Sequence, residues 1–318
     1  MLDNPIAVVG SLIADIVIQV SRWPSPGETM FGEQLDLFPG GKGLNQAIAI
    51  ARQGVGVTFV GQVGDDVFGH TLREAIRAER LSDELVFTAV AEGSGVGIPF
   101  VFPNGENAIV LLPRANMALS TDHILQARPA LESARILLLQ LEIPDHAARL
   151  AASIVAGQGG TVILDPAPFR SLDDELMSHV RILTPNQTEL ETMAGNRIGS
   201  ADDIKVASRT VLKRYPSLQA LIATMGDQGA MITTADSSVW IAAHKVNAID
   251  STAAGDAFNG VLATRLLKGE SLETAGRYAC VAGALAATRL GAVPSLPTFS
   301  EVESACTQMG VGQHGAVY

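Results

Sequence analysis

The chain has 318 residues, of which 47% are hydrophobic, and this content excludes intrinsic disorder and suffices for one large domain or two smaller ones. The 33 acidic and 22 basic residues give a formal net charge of −11, which argues against a surface for nucleic acid or for an anionic membrane. The two cysteines, Cys280 and Cys306, cannot form a disulfide framework or a zinc site, and they suit a reducing compartment.

The first predicted element is a buried strand. The apolar run from Ile6 to Val9 follows an acidic residue, lacks a basic segment before it and ends at Gly10, so it is not typical of a signal peptide. The longest apolar runs fall far short of the roughly 20 residues that cross a membrane. We therefore expect a soluble, cytoplasmic protein.

Two segments, about residues 11–38 and 95–112, break the alternation of strands and helices. The second alternates apolar and polar residues around a turn at Pro103, Asn104 and Gly105. We predict that both form short antiparallel strands, packed as a small lid that excludes water from a cleft. Exposed strand edges promote association, so we expect a homodimer through the lid.

From about residue 135, four short apolar runs alternate with segments of helical spacing. The runs are 135–141, 161–165, 180–184 and 221–224, and the helical segments are 145–156, 188–194 and 202–214. This pattern predicts an α/β fold with a mainly parallel central sheet and helices on both faces. Each run ends in a polar or Gly/Pro cluster, at the edge where such sheets bind ligands. With no visible linker, we treat 1–310 as one domain and 311–318 as a mobile tail.

A glycine-rich segment, Gly40 to Gly43, precedes Asn45 and a helical pattern from Gln46 to Arg52. Glycines allow close approach of the backbone to a ligand, and a helix N-terminus directs free amides toward oxygen atoms. A tight turn with a solvated Lys42 is the alternative. The segment matches neither G-x-x-x-x-G-K-[ST] nor G-x-G-x-x-G, so a nicotinamide-dependent redox enzyme loses support.

A second segment of small residues, 250–260, opens another helix. The amides of Ala253, Ala254 and Gly255 can face a forming negative charge, while Asp256 stays ionised beside the positive end of the helix dipole. An ionised carboxylate in that position can accept a proton from an alcohol. The alternative is that Asp256 only caps its helix.

Together these segments resemble the ribokinase-like (PfkB) family of carbohydrate kinases, most closely its ribokinase branch. The resemblance covers nearly the whole chain and rests on Gly10-Ser11 with Asp15, Gly40-Gly41-Lys42-Gly43 with Asn45, Glu142, Asp165-Pro-Ala-Pro168, Thr184-Pro-Asn186 with Glu189, Thr224-Met-Gly226 with Gly229, Asp250 to Asp256, and Thr288 to Gly291 with Pro294-Ser295. It implies a three-layer fold with a small β lid. It also implies an ATP-dependent enzyme that transfers the γ-phosphate to the primary hydroxyl of a pentose such as D-ribose.

The resemblance assigns a role to each motif residue. Asp256 would be the catalytic base, and the amides of residues 253–255 would form the anion hole, which suits a reaction that needs alignment and charge stabilisation. The residues implied for the sugar are Asp15, Gly41, Lys42, Gly43, Asn45, Glu142 and Asp256, with Ile13 beside them. Those implied for ATP are Asn186, Glu189, Thr224, Gly226, Gly229, Gly255 and Cys280, with Asn186 and Glu189 acting on Mg²⁺ through water. Those implied for a K⁺ ion are Asp250, Thr252, Ala286, Arg289, Gly291 and Ser295.

Ile13 departs from the ribokinase branch, which carries asparagine there. A sugar hydroxyl facing Ile13 would lose a hydrogen-bond partner, at a cost of about 1 to 3 kcal/mol. Alternatives to ribose are therefore 2-deoxyribose, a ketohexose or a nucleoside. A sugar sensor without activity is disfavoured because it needs no Asp256 beside Asn186 and Glu189. Arg114, also unusual for the family, is left out of the site.

Overall fold

The computed structural model describes residues 4–102 and 107–309. Its strands are β1 (Ile6–Val9), β2 (Ile13–Gln19), β3 (Gln34–Gly40), β4 (Val57–Gly64), β5 (Val86–Ala89), β6 (Gly95–Val101), β7 (Asn107–Leu112), β8 (Ile136–Leu139), β9 (Thr161–Leu164), β10 (Val180–Leu183), β11 (Ala220–Thr224), β12 (Gly229–Thr233) and β13 (Ser238–Ala242). Its helices are α1 (Lys42–Arg52), α2 (Val67–Ala78), α3 (Thr121–Ser133), α4 (Asp145–Gly157), α5 (Asp174–His179), α6 (Gln187–Ala194), α7 (Ala201–Arg214), α8 (Ala254–Leu267), α9 (Leu272–Ala286) and α10 (Phe299–Gln308).

The main sheet has nine strands in the order β13-β12-β11-β10-β9-β8-β1-β4-β5. The neighbouring strands from β11 to β5 pair in parallel, and β12 and β13 add an antiparallel edge. The predicted α/β architecture and its parallel strands are confirmed. The sequence reasoning did not predict β4, β5, β12 or β13.

Helices cover both faces of the main sheet. Alternate residues of β1 enter two separate apolar clusters, Ile6 and Val8 on one side and Ala7 and Val9 on the other, because successive side chains of a strand point to opposite faces. The first cluster includes residues of α1, α8 and α9, and the second includes residues of α3, α4 and α7. Within residues 4–102 and 107–309, no helix is both long and apolar enough to cross a membrane.

The predicted lid segments form a second sheet of four strands, in the order β3-β2-β6-β7. Two of its pairings, β2 with β3 and β6 with β7, are antiparallel as expected, whereas the central pairing of β2 with β6 is parallel. The reason is topological: β2 and β6 each leave the main domain and enter the lid in the same direction. The predicted turn at 103–105 and the tail at 311–318 lie outside the described residues.

Candidate active site

The first turn of α8 holds the predicted catalytic carboxylate. Ala253 precedes the helix in the left-handed conformation, with φ of 59°, and α8 begins at Ala254. The amides of a first turn have no acceptor one turn earlier in the helix, so they are available to an anion. In this structure the Ala254 amide already donates to the Ser251 carbonyl at 3.2 Å, so an anion at Ala254 would replace that hydrogen bond. Asp256 lies in the same turn and is 4% exposed.

The glycine-rich segment brings α1 against this turn. Gly41 has φ of 94°, and a Cβ atom there would lie 2.7 Å from the Ile13 nitrogen, so only glycine fits. The helix starts at Lys42, four residues before the predicted helical pattern, and Asn45 therefore lies in its first turn. The Asn45 Nδ2 donates to Asp256 Oδ2 at 2.9 Å. Asp256 and the glycine-rich segment are thus neighbours, as the proposed chemistry requires.

Asp15 approaches the cleft from lid strand β2. Cβ atoms added at Gly40 and Gly97 would lie 2.3 and 2.2 Å from its two carboxylate oxygens, so two glycines make room for this side chain. Burial, together with the negative charges of Glu142 and Asp256, raises the pKa of Asp15 to about 7. A buried carboxylate of this kind favours a ligand that donates hydrogen bonds.

Glu142 follows β8 and is 8% exposed. Its Oε2 accepts a hydrogen bond from the Ser11 hydroxyl and another, at 3.2 Å, from the Lys42 amide. Burial raises the pKa of Glu142 above its usual range, although Lys42 and these hydrogen bonds oppose the rise. The Ser11 hydroxyl also accepts from the Gly43 amide at 3.4 Å. Ser11 therefore links the segment just before lid strand β2 to the first turn of α1.

Lys42 and Asp165 form a partly buried pair, with Nζ and Oδ2 4.0 Å apart. Burial lowers the pKa of Lys42, but Asp165 and three further carboxylates outweigh it, so the pKa is raised and the amine stays charged. Burial raises the pKa of Asp165 to about 7, against the opposing charge of Lys42. The sequence reasoning named Asp165 only as part of a motif and gave it no role.

Gln46 and Gln140 are two site residues that sequence reasoning missed. The Gln46 Nε2 donates to Asp165 Oδ2 and to Asp256 Oδ1, both at 3.0 Å, and its Oε1 accepts from Gln140 Nε2 at 2.6 Å. Gln46 reads in the sequence as an ordinary helical residue. Its contacts with Asp165 and Asp256 join distant parts of the chain, so no local sequence signal marked it.

Asn186 and Glu189 form a capping box at the start of α6. The Asn186 side chain accepts from the Glu189 amide at 2.9 Å, and Glu189 Oε2 accepts from the Asn186 amide at 2.8 Å. Burial raises the pKa of Glu189, while the Asn186 amide and Lys42 lower it. Glu189 therefore caps the start of α6 through Oε2, and its other carboxylate oxygen is left for further contacts.

The predicted nucleotide loop follows β11 next to this box. A backbone bridge pairs Asn186 with Thr224, and Gly226 and Gly229 both have positive φ, 55° and 115°. Cys280 lies on α9, one turn before Gly283, whose Cβ position lies 3.0 Å from the Ala254 carbonyl. Burial raises the pKa of Cys280 to about 12, so its thiol is neutral.

The predicted cation residues flank α8 on two loops. Asp250 Oδ1 accepts from the Thr252 amide at 2.9 Å and from its hydroxyl at 2.6 Å, and Oδ2 accepts from the Gly291 amide at 2.9 Å. The Ala286 carbonyl accepts from the Arg289 amide, and Ser295 donates to the Ala292 carbonyl. Asp250 thus joins the loop before α8 to the loop that contains Gly291.

Ile13 and Arg114 lie at the base of the lid. Ile13 is 2% exposed, and its Cδ1 lies 2.6 Å from the Cβ position of Gly95. The Arg114 guanidinium donates to the Ser94 carbonyl at 3.1 Å, in the loop before β6. Asn116, which is buried, is a further residue that was not predicted. Its side chain accepts from the Leu12 amide and donates to the Leu12 carbonyl, both at 2.8 Å, and so fixes the backbone just before β2.

Residues 3–299 match the family described as pfkB family carbohydrate kinase. The chain belongs to that family. The ribokinase of Haemophilus influenzae is 37% identical over 300 residues, which cover 94% of this chain and 97% of that protein. The deoxyribokinase of Salmonella typhi is 32% identical over 93% of this chain and 96% of its own length. The structure of Arabidopsis thaliana ribokinase complexed with ribose and ATP superposes with a TM-score of 0.86 at 29% identity, covering 95% of this chain and 98% of that one. This kinase-family membership confirms the predicted fold class and the predicted enzyme class, an ATP-dependent carbohydrate kinase.

Proposed function

We propose that this family member transfers the γ-phosphate of ATP to the primary hydroxyl of a pentose, with Asp256 as the base. The observation that carries the proposal is the contact of Asp256 with Asn45, at the start of α8 and beside the glycine-rich segment. Asp256 takes the proton of the hydroxyl while that oxygen forms its bond to the γ-phosphorus. The bond to the bridging oxygen breaks and ADP leaves, and the amides of Ala253, Ala254 and Gly255 stabilise the equatorial oxygens.

The polar groups of the cleft fit a polyhydroxylated substrate. Within the part of the chain that the structure describes, the buried Asn45 Oδ1 has no protein hydrogen-bond partner, so it can accept from a sugar hydroxyl. Asp15 and Glu142 supply further acceptors. The backbone of Gly41, Lys42 and Gly43 allows a close approach. These groups and Asp256 support a small sugar as the acceptor.

Magnesium would be held at Asn186 and Glu189, whose oxygens are the hard donors that this ion prefers. Among the described residues there is no cluster of three or more His, Cys, Asp or Glu side chains that could hold a metal on their own. This agrees with an ion that keeps water ligands and binds largely through phosphate oxygens. When bound, it would neutralise charge on the phosphates. The nucleotide itself would be held by Thr224, Gly226, Gly229 and Gly255, with Cys280 beside its adenine ring.

Potassium would be held between the two loops that Asp250 joins. The ligands would be the carboxylate of Asp250, the carbonyls of Thr252, Ala286, Arg289 and Gly291, and the hydroxyl of Ser295. These are oxygen donors, and three of the residues already converge through the hydrogen bonds of Asp250. An ion there would order the loop before Ala253 and with it the anion hole, so we expect K⁺ to activate the enzyme.

Ribose and 2-deoxyribose are the two candidate substrates, and Ile13 is the residue that separates them. Its buried, apolar side chain offers no partner to a hydroxyl, which favours the deoxy sugar, and the deoxyribokinase relative supports the same alternative. The overall resemblance to ribokinases supports ribose. We place the enzyme in the cytoplasm, where ATP is available and both cysteines remain reduced.

The test is an ADP-release assay over ribose, 2-deoxyribose, fructose and adenosine, with Mg²⁺ and with or without K⁺ in sodium-free buffer. We expect turnover with a pentose, and we expect its rate to rise when K⁺ is added. Equal rates with and without K⁺ would refute the proposed cation site.

The variant Ile13→Asn should raise kcat/KM for ribose relative to 2-deoxyribose about 10-fold. The control Ile18→Asn, on the same strand but on the opposite face, should leave that ratio unchanged. A ratio that Ile13→Asn does not move refutes the role of this residue.

The lid supports a homodimer because one of its faces is entirely apolar. The strand registers place Leu35 and Leu37 of β3 beside Ile18 and Ile16 of β2, and Ile98 of β6 beside Val110 of β7. Phe100 and Leu112 continue the same face. Leu35 is 64% exposed and Val110 is 50% exposed. A contiguous apolar face of this kind favours a second copy of the lid as its cover.

A further inference from the structure

We infer that Gln46 is a positioning residue that holds the carboxylate of Asp256 in its reactive orientation. This inference rests on the proposed role of Asp256 as the base. Gln46 lies in α1, directly after Asn45, and its side chain is 0% exposed.

The hydrogen bonds of Gln46 use its whole amide group. An amide nitrogen has two protons to donate, and the Gln46 Nε2 directs one toward Asp256 Oδ1 and one toward Asp165 Oδ2, both at 3.0 Å. The Oε1 atom accepts from Gln140 at 2.6 Å. A buried group whose donors and acceptor are all satisfied is held in one conformation.

Gln140 and the two carboxylates together decide which way the Gln46 amide faces. Because Gln140 donates to Oε1, the NH₂ group must turn toward the two carboxylates. The opposite orientation would place a carbonyl oxygen against Asp165 and Asp256 and leave the Gln140 donor without its acceptor. The hydrogen bonds from Gln140 through Gln46 to Asp256 therefore run in one direction, toward the acceptor carboxylates.

The carboxylate of Asp256 is fixed at both of its oxygens. Asn45 donates to Oδ2 at 2.9 Å and Gln46 donates to Oδ1 at 3.0 Å, so rotation of the carboxylate would break at least one bond. Each carboxylate oxygen has room for a second hydrogen bond, so the group can still accept the proton of a substrate hydroxyl. Asn45 also has an oxygen for the sugar, whereas all of the Gln46 contacts are to protein. Gln46 thus acts on the reaction through Asp256.

Gln46 also separates two negative groups. Asp165 and Asp256 share its nitrogen, and Lys42, 4.0 Å from Asp165, supplies the nearest positive charge. Without the amide, like-charge repulsion would push the two carboxylates apart, and only Asp256 adjoins the substrate. Loss of Gln46 therefore displaces Asp256 and leaves the other sugar-binding carboxylates, Asp15 and Glu142, in place.

The test compares Gln46→Met with Gln53→Met. Gln53 is the matched control: it lies just after α1, is 5% exposed and donates a single hydrogen bond to the Pro297 carbonyl at 3.2 Å, away from the cleft. We expect Gln46→Met to lower kcat about 100-fold with little change in KM for sugar or ATP, because a misplaced reacting group costs about this factor. Gln53→Met should keep kcat within about 3-fold of the wild type. A Gln46→Met enzyme with nearly full kcat, or equal losses in both variants, overturns the inference.

The variant Gln46→Glu adds a second measurement, the pH dependence of kcat. A residue that only stabilised the fold would not change this dependence. The introduced carboxyl lies between Asp165 and Asp256, with Lys42 as the nearest cation and Glu142 and Glu189 further away. Like charges favour its protonated form, which can donate one hydrogen bond again. The ratio of variant to wild-type kcat should therefore rise about 10-fold between pH 8.5 and 6.5. A ratio that stays constant with pH contradicts the inference.

Two further measurements keep the inference separate from protein folding and from the proposed function. If Gln46→Met does not fold, Gln140→Met removes the group that orients Gln46, and a kcat loss of at least 10-fold supports the inference while an unchanged kcat overturns it. If the wild-type protein phosphorylates no sugar, the proposed function fails. A crystal structure of Gln46→Met then decides: the Asp256 carboxylate displaced from Asn45 supports the inference, and an unmoved carboxylate overturns it.

Discussion

The main sheet and the lid sheet supply different parts of the same cleft. Both faces of the main sheet are covered by helices, and the base at its carboxyl edge is 4% exposed, with Asn45 and Gln46 as fixed donors. The lid sheet has only one face toward the cleft, which carries Asp15, while its other face is apolar and partly exposed. Under the proposed function, proton transfer lies in the fully packed region, whereas sugar recognition is shared between that region, through Asn45 and Glu142, and the partly exposed lid, through Asp15.

The largest expected effect lies on the main sheet. Asp256→Asn keeps the shape of the side chain but removes the group that accepts the proton, so kcat should fall by about 10³-fold or more. Binding of ADP should change little, because the amides of the first turn remain. Single-turnover kinetics and calorimetry with ADP measure the two quantities. Asp202→Asn, at an exposed residue of α7, is the control and should turn over normally. If the Asp256→Asn enzyme keeps substantial turnover, Asp256 is not the base. The proposed division of roles between the main sheet and the lid sheet would then be wrong.

The second effect concerns Asp15 and depends on pH. Because its pKa in the folded protein is about 7, against an ordinary 3.8, the folded state binds the proton more tightly than the unfolded state. The resulting stability is fully present below about pH 4 and is lost as the pH rises to about 7. Asp15→Asn mimics the protonated form at every pH. Its stability relative to the wild type should therefore grow over this range, by on the order of a few kcal/mol.

Urea titrations of both proteins at pH 5 and pH 8 measure this difference. Asp165 also has a pKa of about 7, but it titrates in both proteins and cancels. Catalysis should show the opposite trend, because an ionised Asp15 accepts stronger hydrogen bonds from sugar hydroxyls. The wild-type KM for the sugar should fall from pH 6 to pH 8, while the variant keeps a KM about 10 to 100-fold higher. A stability difference independent of pH would show that burial does not perturb Asp15.

Five of the nine strands of the main sheet, β1 and β8 to β11, were predictable from the sequence because they are short apolar runs that end in polar or glycine-containing clusters. Asp256 and Asn45 were found beside motifs that set backbone geometry, such as the small residues before α8, and Asp15 was found through the family resemblance. Gln46 and Asn116 could not be found in this way. Their importance comes from long-range contacts, Gln46 with Asp165 and Asp256 and Asn116 with Leu12, and a buried amide has no sequence pattern that distinguishes it from a surface one.

The pairing within the lid shows the same limit. The alternation of apolar residues predicted strands correctly, but period alone does not determine whether two distant strands run parallel. The parallel pairing of β2 with β6 follows from where each strand leaves the main domain. The start of α1 was placed too late because the glycines at 41 and 43 hide the helical spacing, although Gly43 is needed where its Cα packs against the backbone of Gly10.

The smallest effect on turnover is expected on the outer face of the lid. Leu35→Lys places a charge on the apolar face, at edge strand β3, where burial against a second copy would be costly, so the proposed dimer should dissociate. Asp256 and its partners lie in the main domain of the same chain, so kcat should change by less than about 3-fold, whereas KM for the sugar should rise because Asp15 belongs to the lid. Val206→Lys, at a residue of α7 that is 62% exposed against 64% for Leu35, is the control. Light scattering gives the mass of each variant. A Leu35→Lys protein that remains dimeric would place the interface elsewhere. A monomer with a 100-fold lower kcat would show that the lid contributes to the chemistry as well as to recognition.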